Sequence, residues 1–274
     1  MTAEELRQLV VEEGLLGAGR PVVVMLSGGR DSTCLLDVAV RIAGASAVSA
    51  VHANYGLRAA ADADERHCAE LCEQLGVQLD VRRPVRAPGG NLQAWARAER
   101  YRAAAELAIA RDADVAAGHT SSDQVETILY RLASSPSRRA LLGMRPRDGA
   151  LIRPLLSFTR EDTGAYCAES SLRWRDDASN ESAAFARNRI RRELLPALQR
   201  THPAAQENIL ALAELLRDEG DVLDELVEAE LGGGREIELT RLRELAPALR
   251  RLIVQRLADE AAGQPAAGAA RRAE

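Results

Sequence analysis

Lysine is absent from this sequence of 274 residues, so all 36 of its basic residues are arginine. A nucleotide-binding loop of the GxxxxGK[ST] type depends on its lysine, and a Schiff-base enzyme needs a lysine amine. Both classes are therefore excluded. Any group that holds a phosphate here must be an arginine, a backbone N–H, a hydroxyl or a bound metal ion.

Aromatic residues and long apolar runs are also scarce. Aromatics make up 3% of the chain and hydrophobic residues 46%, so the core must consist mainly of Leu, Val, Ile and Ala. No apolar run approaches the roughly 18 residues of a membrane-spanning helix. The N-terminus is acidic and amphipathic, unlike a secretory signal. We expect a cytoplasmic location and no membrane partner.

The four cysteines include no CxxC pair. Cys68 and Cys72 lie four residues apart, which would place both on one face of a helix. A metal pair and two buried thiols are both compatible with this spacing, and buried thiols are the commoner case. The cysteines as a whole fit a reducing compartment.

Charge is distributed unevenly around a net value of −5. Residues 131–160 contain seven arginines and one acid, and residues 173–192 contain six arginines and three acids. Such stretches form either a solvated face or a surface that contacts phosphates. Charge alone leaves both interpretations open.

Short apolar segments alternate with helical periodicity in the first half of the chain. The predicted strands are Pro21–Leu26, Ala47–His52, Val77–Val81 and Asp114–Ala117. The predicted helices are Ser32–Ile42, Ala59–Leu75, Asn91–Ala110 with Asn91 as N-cap, and Ser121–Ala133. This alternation predicts an α/β fold, a parallel sheet with helices on both faces.

The pattern changes after Ala133. We predict a surface loop at Ser134–Gly149, an apolar segment at Leu151–Leu156 and a helix at Arg160–Ser171. Three further helices are predicted at Asn188–Arg200, Ala204–Leu231 and Leu239–Ala261. The sequence thus predicts a nucleotide-binding domain at 1–200, a smaller all-α domain at 201–262 and a disordered tail at 263–274. It leaves a homodimer open.

One segment between the first strand and the first helix carries a chemical signal. It consists of Ser27, Gly28, Gly29, Arg30, Asp31 and Ser32. Its glycines let the backbone approach a phosphate, and the helix N-terminus offers N–H donors and the positive end of a dipole. Asp31 is an acid beside an anion site, a conflict that a bridging Mg²⁺ resolves. The plain alternative is a glycine-rich turn with Ser and Asp caps.

The sequence SGGRDS resembles the phosphate-binding loop (PP-loop) of the ATP pyrophosphatases. The resemblance implies that these six residues bind ATP, that Asp31 is catalytic and holds Mg²⁺, and that pyrophosphate is released as an adenylated intermediate forms. This motif is specific for the superfamily but says little about the substrate.

Further blocks, in order along the chain, resemble one branch of this superfamily, the tRNA(Ile)-lysidine synthetases. The blocks are HANYGLR at 52–58, NLQAWAR with RY at 91–101, GHT with DQ and ET at 118–127, RPLL at 153–156, DASN at 177–180 and RNRIR at 187–191. Tyr55 replaces the usual His, Ser122 stands where an Asp is common, and Ser134–Ser137 replaces an RGSG-like turn. The last of these departures bears on how a tRNA is held.

The resemblance implies a two-step reaction on tRNA(Ile) with a CAU anticodon. ATP adenylates the C2 oxygen of the wobble cytidine, and free L-lysine then displaces AMP through its ε-amine. The product, lysidine, changes codon reading from AUG to AUA. AMP is a good leaving group, whereas the cytosine carbonyl oxygen is a very poor one.

The resemblance also implies site residues. Asp123 and Glu126 are three apart on one helix face and suit an ammonium. Deprotonating an ordinary ε-amine at pH 7 costs about 4.6 kcal/mol, so we expect these acids to hold the α-amine of lysine and leave the ε-amine free. His119 and Arg100 are expected to be catalytic. The expected tRNA contacts are Asn54, Arg58, Arg187, Arg189 and Arg191.

Three rival functions share parts of this pattern. A tRNA thiolase has the same loop and RNA partner but typically carries a CxxC pair or other cluster ligands. A PP-loop amide-forming synthetase lacks the HxN and RNRIR-like blocks. A non-catalytic nucleotide-binding module would bind ATP without releasing pyrophosphate.

Overall fold

The structure is a computed structural model that describes residues 1–56, 60–85, 91–135, 138–175 and 186–263. The chain divides into two compact units, Met1–Leu210 and Ala211–Glu274. Residue 200, the predicted domain boundary, lies inside the first unit. From residue 264 onward, the predicted tail lies outside the described residues. Arg58 and the DASN block at 177–180 also lie outside them.

The first unit is built on a six-stranded sheet in the order β3-β2-β1-β4-β6-β5. The strands are β1 Val22–Met25, β2 Val48–Ala53, β3 Gln78–Arg82, β4 Asp114–Ala116, β5 Arg147–Asp148 and β6 Leu151–Ile152. All neighbours are parallel except β5 and β6. The predicted parallel sheet is confirmed. The loop predicted at Ser134–Gly149 was wrong at its end, where β5 forms a hairpin that closes through Gly149 at φ +60°.

Helices cover both faces of the sheet, as predicted. The helices are α1 Ala3–Glu12, α2 Arg30–Ala43, α3 Ala61–Leu75, α4 Leu92–Arg111, α5 Ser121–Ser134, α6 Arg160–Glu169, α7 Ala186–Arg189, α8 Leu195–Thr201, α9 Ala205–Leu231, α10 Leu239–Glu244 and α11 Pro247–Ala262. A π-helical segment, Ile190–Leu194, joins α7 to α8. The single helix predicted at Leu239–Ala261 was wrong, because Pro247 restricts Ala246 to an extended conformation and divides it.

Alternation along β1 sends its side chains into two cores. Val22 and Val24 belong to the cluster that includes Leu35 of α2 and Tyr166 of α6. Val23 and Met25 point the other way and join the second cluster, which includes three alanines of α4, Ala103, Ala104 and Ala108. The strand is buried along its whole length, as expected for a central strand covered on both faces.

The second unit has a small helical core of its own. Val227 and Leu231 of α9 pack with Ile253 of α11. Among the described residues of the whole chain, we find no helix with the length and apolarity needed to span a membrane.

Candidate functional site

The loop after β1 has a conformation that depends on glycine. Gly28 has φ +81°, and a Cβ at this position would lie 3.1 Å from the Sγ atom of Cys68. The loop is tied together by its serines, because the Oγ atoms of Ser27 and Ser32 lie 3.0 Å apart and Ser32 donates to the carbonyl of Gly29 at 2.9 Å. The backbone is therefore fixed in an open turn at the carboxyl edge of the sheet.

The N-terminus of α2 carries no side-chain cap. Its N-cap is Gly29, whereas Asn91, Thr120 and Thr159 cap α4, α5 and α6 with their side chains. The first N–H groups of a helix have no partner within the helix. Those of α2 are therefore available to an anion such as a phosphate.

The end of β4 lies directly against this helix start. A Cβ on Gly118 would be 3.1 Å from the backbone carbon and oxygen of Asp31 and 3.2 Å from the Cα of Ser32. Only a glycine permits this approach. It brings His119 and the first turn of α5 beside the loop.

Asp31 is held by three side chains, and the neighbouring Arg30 donates from Nε to its Oδ1 at 3.3 Å. Thr163 of α6 donates its hydroxyl to Oδ1 of Asp31 at 2.6 Å. The Nε atom of Arg160 lies 3.6 Å from the other oxygen, Oδ2. Packing of α6 on α2 thus orients the carboxylate that the sequence assigned to Mg²⁺ and catalysis.

Arg160 connects Asp31 to the acids of α5. Its Nη2 atom lies 3.5 Å from Oδ1 of Asp123. Arg191 approaches the same oxygen at 4.0 Å and donates from Nε to Glu126 at 2.5 Å. We call Asp31, Asp123, Glu126, Arg160 and Arg191 the acid–arginine cluster. The sequence prediction missed Arg160 as a site residue, although it ends the basic stretch 131–160 and begins the predicted helix Arg160–Ser171.

The two α5 acids approach the same arginine but differ in their other contacts. Oδ2 of Asp123 accepts hydrogen bonds from the backbone N–H of Thr120 at 3.0 Å and from its hydroxyl at 3.1 Å, so only Oδ1 faces the cluster. The side chain of Glu126 is 3% exposed. Burial by itself would lower the pKa of Arg191, but the hydrogen bond with Glu126 and the negative charges of Glu126, Asp123 and Asp31 together outweigh burial, and the pKa is raised.

His119 lies between this cluster and a group of arginines. Burial is the main reason that its pKa falls to about 4, and Arg153, Arg97 and Arg187 lower it further, while Asp123 opposes them. Its Nδ1 atom has no hydrogen-bond partner among the described residues. The imidazole is therefore neutral at pH 7 and can accept or donate one hydrogen bond to a ligand.

The lowered pKa of His119, a partly buried residue, should make the protein sensitive to acid. Its folded pKa of about 4 lies below the ordinary value of 6.5, so the folded state resists protonation more than the unfolded state does. Stability should be full above pH 6.5 and fall as the pH decreases toward 4. Between about pH 7.5 and pH 5 we expect His119 to account for a loss of about 2 kcal/mol. Urea unfolding of wild type and of His119→Asn at both pH values measures this loss in the free energy of unfolding. Equal losses in both proteins would contradict this origin.

The remaining predicted residues lie at different places. Arg100 of α4 has a buried Nε with no hydrogen-bond partner within the described part of the chain. Arg187 is exposed and donates to the hydroxyl of Thr127 at 3.3 Å, and Arg189 is also exposed. Of the predicted tRNA contacts, Arg191 is the one that the structure places in the acid–arginine cluster.

Asn54 is committed to contacts within the protein. It is 5% exposed, donates to Asp62 at 3.0 Å and Glu65 at 2.8 Å, and accepts from the N–H of Gly56 at 2.9 Å. These bonds join the end of β2 to α3. The structure does not bring the Asn54 side chain into the acid–arginine cluster.

The cysteines are four buried free thiols, which confirms that interpretation of Cys68 and Cys72. Burial raises the pKa of both to about 12. Within the described ranges, no three His, Cys, Asp or Glu side chains gather as they would around a metal ion.

Comparison with known proteins gives matches over most of the chain. Residues 2–198 match the family described as the PP-loop domain. A tRNA(Ile)-lysidine synthase of Pseudomonas fluorescens is 38% identical over 215 residues, which cover 76% of this chain and 48% of that protein. Another, of Dehalococcoides mccartyi, is 35% identical over 291 residues, covering 96% and 61%. The chain thus spans about half to three fifths of the length of these curated relatives.

Solved structures show the same fold. A U34-tRNA thiolase from Methanococcus maripaludis superposes with a TM-score of 0.64, covering 78% of each chain. The sequences are 16% identical, so this likeness concerns the architecture alone.

Proposed function

Because this chain belongs to the PP-loop domain family, we propose that it is an ATP-dependent ligase that attaches free L-lysine to C2 of the wobble cytidine in tRNA(Ile) with a CAU anticodon. One observation carries the proposal. The uncapped N-terminus of α2, an anion site, is linked through Arg160 to the carboxylates of α5, which suit an amine. The names of the similar curated proteins support this substrate pair. A tRNA substrate places the reaction in the cytoplasm.

The first step is adenylation. The α2 N–H groups and the hydroxyls of Ser27 and Ser32 would hold the ATP phosphates. The C2 oxygen of the cytidine attacks the α-phosphorus, the bond to the β-phosphate breaks, and pyrophosphate leaves. Arg100, whose buried Nε has no partner among the described residues, is placed by this proposal at the cytidine, where its charge stabilises the developing negative charge.

Asp31 fits the role of a Mg²⁺ ligand. Thr163 and Arg30 donate to its Oδ1, while its Oδ2 accepts no hydrogen bond within the part of the chain that the structure describes. Mg²⁺ is commonly held by one or two carboxylates together with substrate phosphates, so a single protein carboxylate suffices. A bound ion would neutralise charge on the phosphates.

The second step needs an amine. The ε-amine of lysine attacks C2, the bond between C2 and its oxygen breaks, AMP leaves with that oxygen, and the amine loses a proton. His119, neutral at pH 7 because burial lowers its pKa to about 4, is positioned to hydrogen-bond the amine or the base.

An amino acid can enter the acid–arginine cluster by exchange. Asp123 and Glu126 are already paired with Arg160 and Arg191, so an α-ammonium must displace a guanidinium. Lysine also brings an α-carboxylate, which can pair with the displaced arginine. The exchange keeps every charge paired, as a half-buried site requires.

Transfer of label from lysine to tRNA tests the proposal. The protein is incubated with ATP, radiolabelled lysine and tRNA(Ile) carrying the CAU anticodon. Label should enter the tRNA only when ATP is present, with release of pyrophosphate. ATP binding without pyrophosphate release would support the non-catalytic module. Pyrophosphate release that needs a sulfur donor and not lysine would support a thiolase.

Exposed arginines should make tRNA binding sensitive to salt. If Arg187 and Arg189 contact phosphates, the logarithm of tRNA affinity falls linearly with the logarithm of salt concentration. Arg187→Ala should reduce this slope by about 1. Arg111 is the last residue of α4. Arg111→Ala serves as the control and should leave the slope unchanged. A flat dependence for wild type would mean that these arginines are only solvated.

A further inference from the structure

The first half of α4 extends beyond the sheet. This helix has 20 residues and a length of about 30 Å, whereas β2 has six residues and a length of about 20 Å. Its buried residues, Ala103, Ala104 and Ala108, all lie in the second half. A helix that follows a parallel strand starts at the carboxyl edge of the sheet. The turns from Leu92 to Arg100 therefore lie past that edge, on the side of the Ser27–Ser32 loop.

Aromatic rings gather on this part of the helix although the chain has only eight of them. The ring centroids of Tyr55 and Trp95 are 5.5 Å apart, with the planes at 63°. The Tyr55 hydroxyl donates to the carbonyl of Ala96 at 2.6 Å, which fixes its ring against the helix. Neither ring belongs to a hydrophobic cluster of the described residues. Both remain partly exposed, and Leu92 beside them is 37% exposed.

Two arginines flank the aromatic pair. The guanidinium of Arg97 lies 4.7 Å from the centroid of the Tyr101 ring and donates to its hydroxyl at 3.2 Å. Arg100 lies near Tyr55, where it opposes the increase that burial causes in the tyrosine pKa. The two rings thus present partly exposed apolar surface, with cations nearby, at the carboxyl edge of the sheet.

We propose that Tyr55 and Trp95 form a stacking platform for an unpaired nucleobase of the RNA substrate, adjacent to the cytidine that is modified. The proposal rests on the proposed function for its RNA partner. Aromatic faces bind unstacked bases of single-stranded RNA, and neighbouring arginines bind the backbone. A duplex hides the faces of its bases, so the platform selects a loop.

Fluorescence of Trp95 tests the platform directly. In a Trp174→Phe background, Trp95 is the one remaining tryptophan. A short RNA stem-loop with CAU in its loop should quench this fluorescence as it binds, while a fully paired duplex of equal length should not. Trp95→Ala should weaken stem-loop affinity about 5- to 150-fold, as expected for the loss of one stacked base. Trp95→Phe should retain most of the affinity.

A control variant at the far end of α4 shows whether a loss of affinity is specific to the platform. Ile109→Ala changes an 83% exposed apolar residue at the far end of α4 and should leave affinity unchanged. Unchanged stem-loop affinity in Trp95→Ala, with the fold intact by circular dichroism, would overturn the platform, and so would equal quenching by the duplex. Because binding is measured without ATP or lysine, a protein that binds the stem-loop through Trp95 but transfers no lysine would refute the proposed function and leave the platform standing.

Discussion

Asp31→Asn should reduce pyrophosphate release about 100- to 1000-fold, the usual effect of removing one electrostatic contact from a transition state. The substitution keeps the shape of the side chain, and its amide oxygen can still accept the hydrogen bond from Thr163. It removes the negative charge that would hold Mg²⁺ and that faces Arg160. Release of pyrophosphate in the presence of ATP and tRNA measures the effect, and Asp31→Ala should have at least as large an effect.

Substitution of Thr163 separates the effect of the Asp31 charge from the effect of the orientation of its carboxylate. Thr163 is completely buried, and Thr163→Val removes its 2.6 Å hydrogen bond to Asp31 while leaving the carboxylate in place. We expect this variant to lose much less activity than Asp31→Asn. Thermal unfolding of both proteins checks that each remains folded. Near-normal turnover in Asp31→Asn would contradict the assignment of the Ser27–Ser32 loop to ATP.

Local patterns were sufficient to predict the first four strands and the loop that follows β1. Val22–Met25 is a continuous apolar run, which identifies a central strand, and the glycines that follow it mark a turn at a helix start. Asn91 was recognised as an N-cap because capping depends on adjacent residues, and its side chain does accept from the N–H groups of Gln93 and Ala94.

Contacts between distant segments could not be predicted in this way. Arg160 meets Asp31 and Asp123 only because α6 packs on α2 and because Gly118 lets β4 approach the same helix. No periodicity encodes such a meeting. Similarly, β5 has two residues, too few for a strand pattern, and it forms because it pairs with β6 and because Arg147 binds Asp114 at 2.8 Å.

The acid–arginine cluster determines which substitution can separate the two chemical steps. Glu126→Gln would leave the partly buried Arg191 without its closest partner, and breaking a buried ion pair from one side is strongly destabilising. Loss of activity in that variant would not distinguish chemistry from folding. Asp123 is the better position because its Oδ2 accepts the capping hydrogen bond from Thr120, while its Oδ1 faces the cluster.

Asp162→Asn provides a matched control for Asp123. Asp162 occupies the same capping position on α6, where it accepts from the N–H of Thr159 at 2.8 Å and from its hydroxyl at 2.6 Å. The same chemical change is therefore made at the same position of a capping box, on a residue that is not part of the acid–arginine cluster. Whatever Asp123→Asn loses beyond this control reflects the cluster.

Asp123→Asn should form adenylated tRNA at a near-normal rate but resolve it only at high lysine concentration. Its amide oxygen can still cap Thr120, while its uncharged amide can no longer hold an α-ammonium. Losing a hydrogen bond to a charged group costs about 1.5–3 kcal/mol, so about 10- to 150-fold more lysine should be needed. Accumulation of adenylated tRNA at low lysine, and its decay as lysine is added, measure the two steps separately. Loss of adenylation with unchanged lysine dependence would place Asp123 at the nucleotide, because a carboxylate that serves only the amine cannot affect a step in which no amine takes part.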